Sequence, residues 1–423
     1  MEQLFQLLHE GVTASHVIDF VKKDLVKSGF WELSFEECWN LKEKSNYYVN
    51  LYGTNMIAFR TGRMTGEKPV FRIAMAHSDY PNFQIKPDPI VEGKGITKLN
   101  VEIYGGMYQK SWLDRPLGIA GKVIVKGESA FTPVTLLYKS DRPLCIIPSL
   151  AIHMDRELNK KGALDVAKEL VPIVSLSERG DLLKEIADTL QIDKGNILDY
   201  ELSLYNMEEP VLLGLDSSMM AAPRLDNLTS VGAILDAIRN CKEIPENTVD
   251  VMAVFDNEEV GSLSKQGADS ELLPMVLEKI GNSLKDRGFE MLDIMKKSFL
   301  LSVDVAHAHH PNYEEKSDMT SKAFLGKGFC IKRSIGQKYG TTSESAAVLK
   351  QLCMEHDIPY TIAVNKTGIP GGSTLGPIVT SHLPMPCADI GIPVLSMHSA
   401  SELGALADYE ALKKILQVFY TEA

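Results

Sequence analysis

Residues 248–259 read TVDVMAVFDNEE. A run of Val, Met, Ala and Phe breaks off abruptly into Asp256, Asn257, Glu258 and Glu259. An apolar stretch of this length, bounded by polar residues, reads as a strand buried in a sheet. Two adjacent carboxylates straight after it serve no packing purpose, because like charges repel. The same event recurs along the chain. FRIAMAHSD (71–79) is a buried run ending in His77 and Asp79. SFLLSVDVAHAHHPNY (298–313) runs into Asp304 and His307, IPYTIAVNKTGIPGGST (358–374) into a glycine-rich loop, and GIPVLSMHSASE (391–402) into His398. RLDNLTSVGAILDAIRN (224–240) opens with a turn carrying Asp226 and becomes an amphipathic helix. From residue 226 onward strand and helix alternate. The four strands there are expected to run the same way and to put their polar ends on one edge. That predicts an α/β fold with a mostly parallel sheet and helices on both faces.

Working outward, the first sixty or so residues read as helices followed by a strand pair, YYVNLYG (47–53) and MIAFRTG (56–62). Residues 92–217 differ in texture, with short strand-like runs such as VEIYGG, GKVIVKG and FTPVTLLY. They read as an inserted β-rich domain, so the main domain comprises 1–91 and 218–423. A chain of 423 residues is long enough for two or three domains. Its net charge of −12 argues against nucleic acid or an anionic membrane as a partner. No run reaches the roughly 18 apolar residues of a membrane span. The N-terminus lacks the pattern of a secretory leader. Six scattered cysteines with no CxxC pair suit a reducing compartment, so a cytoplasmic location is expected.

Taken singly, each polar strand end has a plain structural explanation. His77 suits a hydrogen-bonded polar loop, Asp226 a helix N-cap, Glu258 and Glu259 an acidic surface turn, and His398 a satisfied core histidine. Asp304 is harder to dismiss, because burying a carboxylate costs several kcal/mol unless it is paired. Together, His77, Asp226, Glu259, Asp304 and His398 form an imidazole–carboxylate donor set without thiolate. That set suits zinc and is compatible with cobalt or manganese. Five ligands are too many for one zinc with an open position but serve two metals if a carboxylate bridges. Asp79, two residues from His77, is placed to accept the other ring N–H. Glu258 is then available to take a proton from water. His309 and His310 are further potential ligands, or simply polar surface.

The motifs assembled resemble the aspartyl aminopeptidase family of dinuclear zinc aminopeptidases. HSDYPNFQIKP, VEIYGGMYQKSWLDRPLGIAGKV, SLAIHMDRELN, APRLDNLTS, FDNEEVGS, VDVAHAHHPNY and MHSASE follow that family's order over nearly the whole chain. The resemblance implies a zinc exopeptidase-type fold with the inserted domain serving dimerisation, and assembly of dimers into a dodecamer. It implies two zinc ions per chain: His77 and Asp304 on one, Glu259 and His398 on the other, and Asp226 between them. Glu258 becomes the general base toward the bridging water, with Asp79 orienting His77. The implied function is removal of N-terminal residues from peptides, with a preference for acidic ones. Departures fall around the substrate. Lys110 replaces a family His, Ser401 replaces an Arg, and Lys366, Gly368 and Gly371 alter the glycine-rich loop. Lys110, Lys338, Tyr339, Lys366, Gly372 and His310 are the candidate substrate contacts. Two other functions remain compatible with the residues: a dinuclear amidase or deacylase, and a cage-forming binding protein without catalysis.

Overall fold

The structure, a computed structural model, describes residues 1–160, 162–177, 180–241, 243–284, 290–369 and 371–422. The glycine-rich loop is therefore described except at Pro370. The chain forms two compact units. The first comprises Met1–Asp79, Pro210–Met397 and Glu402–Ala423, the second Tyr80–Glu209 and His398–Ser401.

The first unit is built on a nine-stranded sheet. Its strands are β1 (Trp31–Glu32), β2 (Asn46–Leu51), β3 (Asn55–Thr61), β4 (Val70–His77), β5 (Thr248–Phe255), β6 (Phe299–Val303), β7 (Phe329–Arg333), β8 (Tyr360–Val364) and β9 (Cys387–Gly391). They lie in the order β1-β2-β3-β5-β4-β6-β9-β7-β8. The helices are α1 (Glu2–Glu10), α2 (Ala14–Lys27), α3 (Leu225–Asn240), α4 (Leu272–Leu284), α5 (Ser343–Glu355), α6 (Leu375–His382) and α7 (Leu406–Thr421).

Every residue of β5, β6 and β9 is buried, which is why these strands read as continuous apolar runs. Their side chains nonetheless alternate between two cores. Val249, Val251, Ala253 and Phe255 face one core, together with α4 and α6, while Met252 and Val254 face the other, with α1, α2, α3, α5 and α7. Helices thus cover both faces of the sheet.

β4, β5, β6 and β9 are mutually parallel, so their C-terminal ends share one edge. β7 pairs antiparallel with β9, and β8 follows β7. Of the four expected co-directional strands, GIPVLS lies outside this sheet, its Pro393–Val394 pairing instead with Ala306–His307, and IPYTIAV runs the other way. The reason is that it joins the sheet outside β7, and an apolar run carries no mark of its direction.

The second unit is a six-stranded antiparallel sheet in the order Val134–Lys139, Leu117–Val125, Ile197–Asn206, Asn82–Gly93, Ile96–Tyr104 and Ile173–Ser175. Among the described residues no helix is long and apolar enough to cross a membrane.

Candidate metal centre

His77 is the last residue of β4, and it is buried. Its Nδ1 lies 3.1 Å from the backbone carbonyl of Asp79 and 3.5 Å from the Asp79 carboxylate. The ring is thereby turned so that Nε2 faces Asp226 Oδ1 at 3.3 Å and Asp304 Oδ1 at 3.6 Å. Asp226 opens α3 with non-helical backbone before the regular turns begin. Its amide donates to the buried carboxylate of Glu402 at 2.9 Å, and the Asn227 side chain donates to the Val303 carbonyl at the end of β6. Asp304 follows β6 directly, and its amide donates to the Ile390 carbonyl of β9.

Glu258 and Glu259 occupy a single 3-10 turn after β5. The turn needs left-handed backbone on both sides, supplied by Asn257 at φ 63° and Gly261 at φ 98°. Both its leading amides donate to the Asp79 carboxylate, Glu258 to Oδ1 and Glu259 to Oδ2, each at 3.1 Å. Asp79 was expected to orient His77. Its carboxylate lies nearer these amides than the imidazole, so it also pins the turn that presents both glutamates.

The electrostatics are those of a site with too much negative charge. Burial pulls His77 down, but Asp226, Asp304, Asp79 and Glu258 outweigh it and hold the imidazole well above its usual value. Burial, together with Asp304, Asp226 and Asp79 and against the pull of His77, pushes Glu258 up to about 7. Asp304 stays below the ordinary carboxylate range, since Lys332 and His77 outweigh its burial. Ligating atoms of His77, Asp226 and Asp304 lie within 4.8 Å of one another, and so do those of His77, Glu258 and Glu259. A buried nitrogen and several carboxylates at this spacing fit a divalent cation, and the absence of thiolate suits zinc.

His398 belongs to the second unit. Its Nδ1 donates to the Gly106 carbonyl at 2.9 Å, so Nε2 is the ring nitrogen through which it would ligate a metal. Lys110 also lies in that unit, in the 3-10 turn Gln109–Trp112.

A cavity of about 260 Å³ in the first unit is lined by His307, His310, Lys332, Tyr339, Asn365 and Lys366, among others. Of the candidate substrate contacts, the structure brings His310, Tyr339 and Lys366 to this cavity. Lys338 and Gly372 are exposed and do not line it. Lys366 donates its ammonium to the Glu315 carbonyl.

The residue that sequence reasoning missed is Lys332. It is buried, with Nζ 3.1 Å from Asp304 Oδ2, 2.8 Å from the Val305 carbonyl and 4.9 Å from the centre of the Tyr339 ring. A lysine in a strand is usually a solvated edge residue. Only the nearby Asp304, itself suspect in an apolar run, hinted at a buried partner. Glu402, which holds the Asp226 amide, was likewise passed over inside MHSASE.

The model of the aminopeptidase I zinc metalloprotease (M18) family matches residues 7–420. A probable M18 family aminopeptidase 2 of Clostridium novyi is 40% identical over 99% of this chain and 98% of its own length. Aspartyl aminopeptidase 4 of Saccharomyces cerevisiae is 35% identical over 99% of this chain and 94% of its own. Among solved structures, that of the Ape4 and Nbr1 complex superposes with a TM-score of 0.93 at 32% identity, covering 99% of this chain and 84% of that one. The Saccharomyces mApe1 dodecamer shares the fold, with a TM-score of 0.86 at 23% identity over 99% of this chain and 95% of that one. The chain belongs to the M18 family of zinc metalloproteases and is a metallo-aminopeptidase, a hydrolase that removes N-terminal residues.

Proposed function

We propose that this aminopeptidase works with two zinc ions and that Glu258 is its general base, with a preference for acidic N-terminal residues. The observation that carries the proposal is the crowding of buried His77, Asp226 and Asp304 and half-buried Glu258 and Glu259 around the His77 ring, with a surplus of negative charge. His77, Asp226, Asp304 and Glu259 would hold the metals, with His398 completing the set. When bound, such a pair supplies polarisation of the scissile carbonyl and acidification of water.

The chain's own residues do the rest. Glu258 sits on a turn fixed by Asp79, and burial raises its carboxyl toward neutrality. A carboxyl in that range takes a proton from the attacking water and returns it to the departing amine. A cation beside it lowers its value again, keeping the ground state ionised.

The acidic preference rests on Lys332. It is a buried cation between Asp304 and the cavity, and an acidic side chain in that cavity meets its ammonium in a low-dielectric setting. The yeast relative named an aspartyl aminopeptidase supports the same reading. Assembly as a dimer through the inserted domain and then as a dodecamer is the quaternary part of the proposal, supported by the named mApe1 dodecamer. A reducing, cytoplasmic compartment is supported by six cysteines that form no disulfide.

The test is a panel of aspartyl, glutamyl, leucyl and lysyl anilides after loading with zinc, cobalt or manganese. Faster turnover of the acidic pair is expected. Equal turnover of leucyl and glutamyl anilides contradicts the acidic preference, and turnover confined to N-acylated amides contradicts the assignment of exopeptidase substrates.

A further inference from the structure

Asp389, in the middle of β9, is fully buried and stands outside the grouped metal-site residues. Its sheet neighbours are Ser302 on β6 and Lys332 on β7. Its contacts reach out to two loops. Oδ2 accepts the amide of Gly340 at 2.5 Å, and its own amide donates to Thr341 Oγ1 at 2.8 Å. These fix the end of the 334–341 segment, whose Tyr339 lines the cavity. On the other side, Ser302, in register with Asp389 on β6, accepts the amide of Gly376 at 3.1 Å. That amide belongs to the first turn of α6, immediately after the glycine-rich loop that carries Lys366 and Ile369 of the cavity wall.

The fit leaves no slack. A Cβ at Gly376 would lie 2.5 Å from Asp389 Oδ2, and one at Gly340 would lie 2.8 Å from Cys387 Sγ. The two loops also meet directly: Asn365 Nδ2 donates to Tyr339 Oη at 3.3 Å, and Ser373 Oγ to the Lys338 carbonyl at 3.4 Å. These loop-to-loop bonds lie at or near the surface, whereas the Asp389 bonds lie beneath both loops. A buried charge with several partners is costly to disturb and holds them in one arrangement.

We infer that Asp389 is a positioning residue for substrate selection, tying both walls of the cavity from below and so setting the width offered to the N-terminal side chain. This rests on reading the cavity as the seat of that side chain. Asp389 does not reach the reacting atoms, so its removal acts on substrate fit more than on the chemical step.

The test uses the metal-loaded full chain and the variants D389A, D389N, S302A and T341V, the last two being small changes at the clamp's far contacts. Steady-state constants are measured on alanyl, leucyl and glutamyl anilides, and amide hydrogen exchange is followed in peptides covering Gly340 and Gly376. For D389A we expect KM to rise about tenfold for leucyl and glutamyl anilides, about twofold for alanyl, and kcat to stay within about threefold, the pattern of lost uniform binding. S302A and T341V shift the same ratio by less, D389N largely restores it, and exchange at both loops quickens together in D389A. A loss equal across all three substrates, or an unchanged KM pattern in an active wild-type background, overturns the inference alone. A wild-type chain that turns over none of the anilides refutes the peptidase reading and this inference with it.

Discussion

Two places where the central sheet buries charge differ in the sign of what is left over. Near the start of β5, Asp250 is fully buried and sits in register between Arg60 of β3 and Arg72 of β4. The arginines are anchored in turn, Arg60 to the Ile238 carbonyl and Arg72 to that of Lys297, each at 3.0 Å. Neither arginine bonds the Asp250 carboxylate directly, but both pull on it, and two cations to one acid leave this row no surplus of negative charge to offer a metal. At the far end of the same strands, His77, Asp226, Asp304, Glu258 and Glu259 gather around Lys332 and one imidazole, with carboxylates in surplus. The lesson is that burial of charge alone does not mark a site. What marks it is buried charge that the chain leaves uncompensated, because that state persists only if something else supplies the balance.

Breaking the unbalanced end should have the largest effect. Glu258→Gln keeps shape and metal but removes the proton acceptor, so kcat should fall by roughly 10²–10⁴-fold with metal content unchanged. Retained turnover removes Glu258 as the base. Lys332→Met deletes the ammonium beside Asp304. Breaking a buried pair from one side should cost about 3–5 kcal/mol in the metal-free protein. Metal should restore part of this, read as a larger metal-induced rise in Tm than in the wild type. Equal rises would mean that Lys332 and the metal do not share Asp304.

The arginine-flanked end is probed by pH. Burial pushes Asp250 up to about 8, against the pull of Arg60 and Arg72. A raised acid binds more protons folded than unfolded, so its share of stability falls as pH rises from about 4 to about 8 and levels off above. The stability of Asp250→Asn relative to wild type, from denaturant titrations, should therefore improve across that window and then stop changing. A flat difference would mean that the arginines keep Asp250 ionised throughout.

The smallest effect belongs to a surface counterpart. His382, at the end of α6, lies 2.8 Å from Asp269 and 3.0 Å from Glu271, which precede α4. The Asp269 bond raises its pKa most, against slight burial and with help from Glu271. A raised histidine stabilises fully below its unfolded pKa of about 6.5 and loses that contribution as pH climbs through the folded value. His382→Gln should lower Tm slightly below pH 6.5 and match wild type at alkaline pH. A difference that grows with pH would contradict the pairing.

Much of this was legible in the sequence, and the exceptions share a cause. The strand ends at His77, Glu258, Glu259 and Asp304 were readable because polar residues that terminate apolar runs break a pattern. Lys332, Asp389 and Asp250 lie inside such runs, where a charged residue looks like the solvent face of an edge strand. Their burial depends on partners from distant segments: Asp304 for Lys332, the Gly340 amide for Asp389, Arg60 and Arg72 for Asp250. The reversed direction of β7 and β8 was hidden for a similar reason, because strand order and direction follow from connections and packing rather than from composition. Asp79 was readable as a partner of His77 by proximity in sequence. Its bonds to the Glu258 and Glu259 amides, across a separation of 179 and 180 residues, were not.

If metal balances the surplus of buried carboxylate, it must be present in fixed stoichiometry. Elemental analysis of the purified full chain, alongside Asp226→Ala, should give about two divalent ions per wild-type chain and a clear loss in the variant, with both proteins folded by circular dichroism. A folded, active wild-type chain holding no divalent metal, or an Asp226→Ala chain that still holds two, would contradict the account.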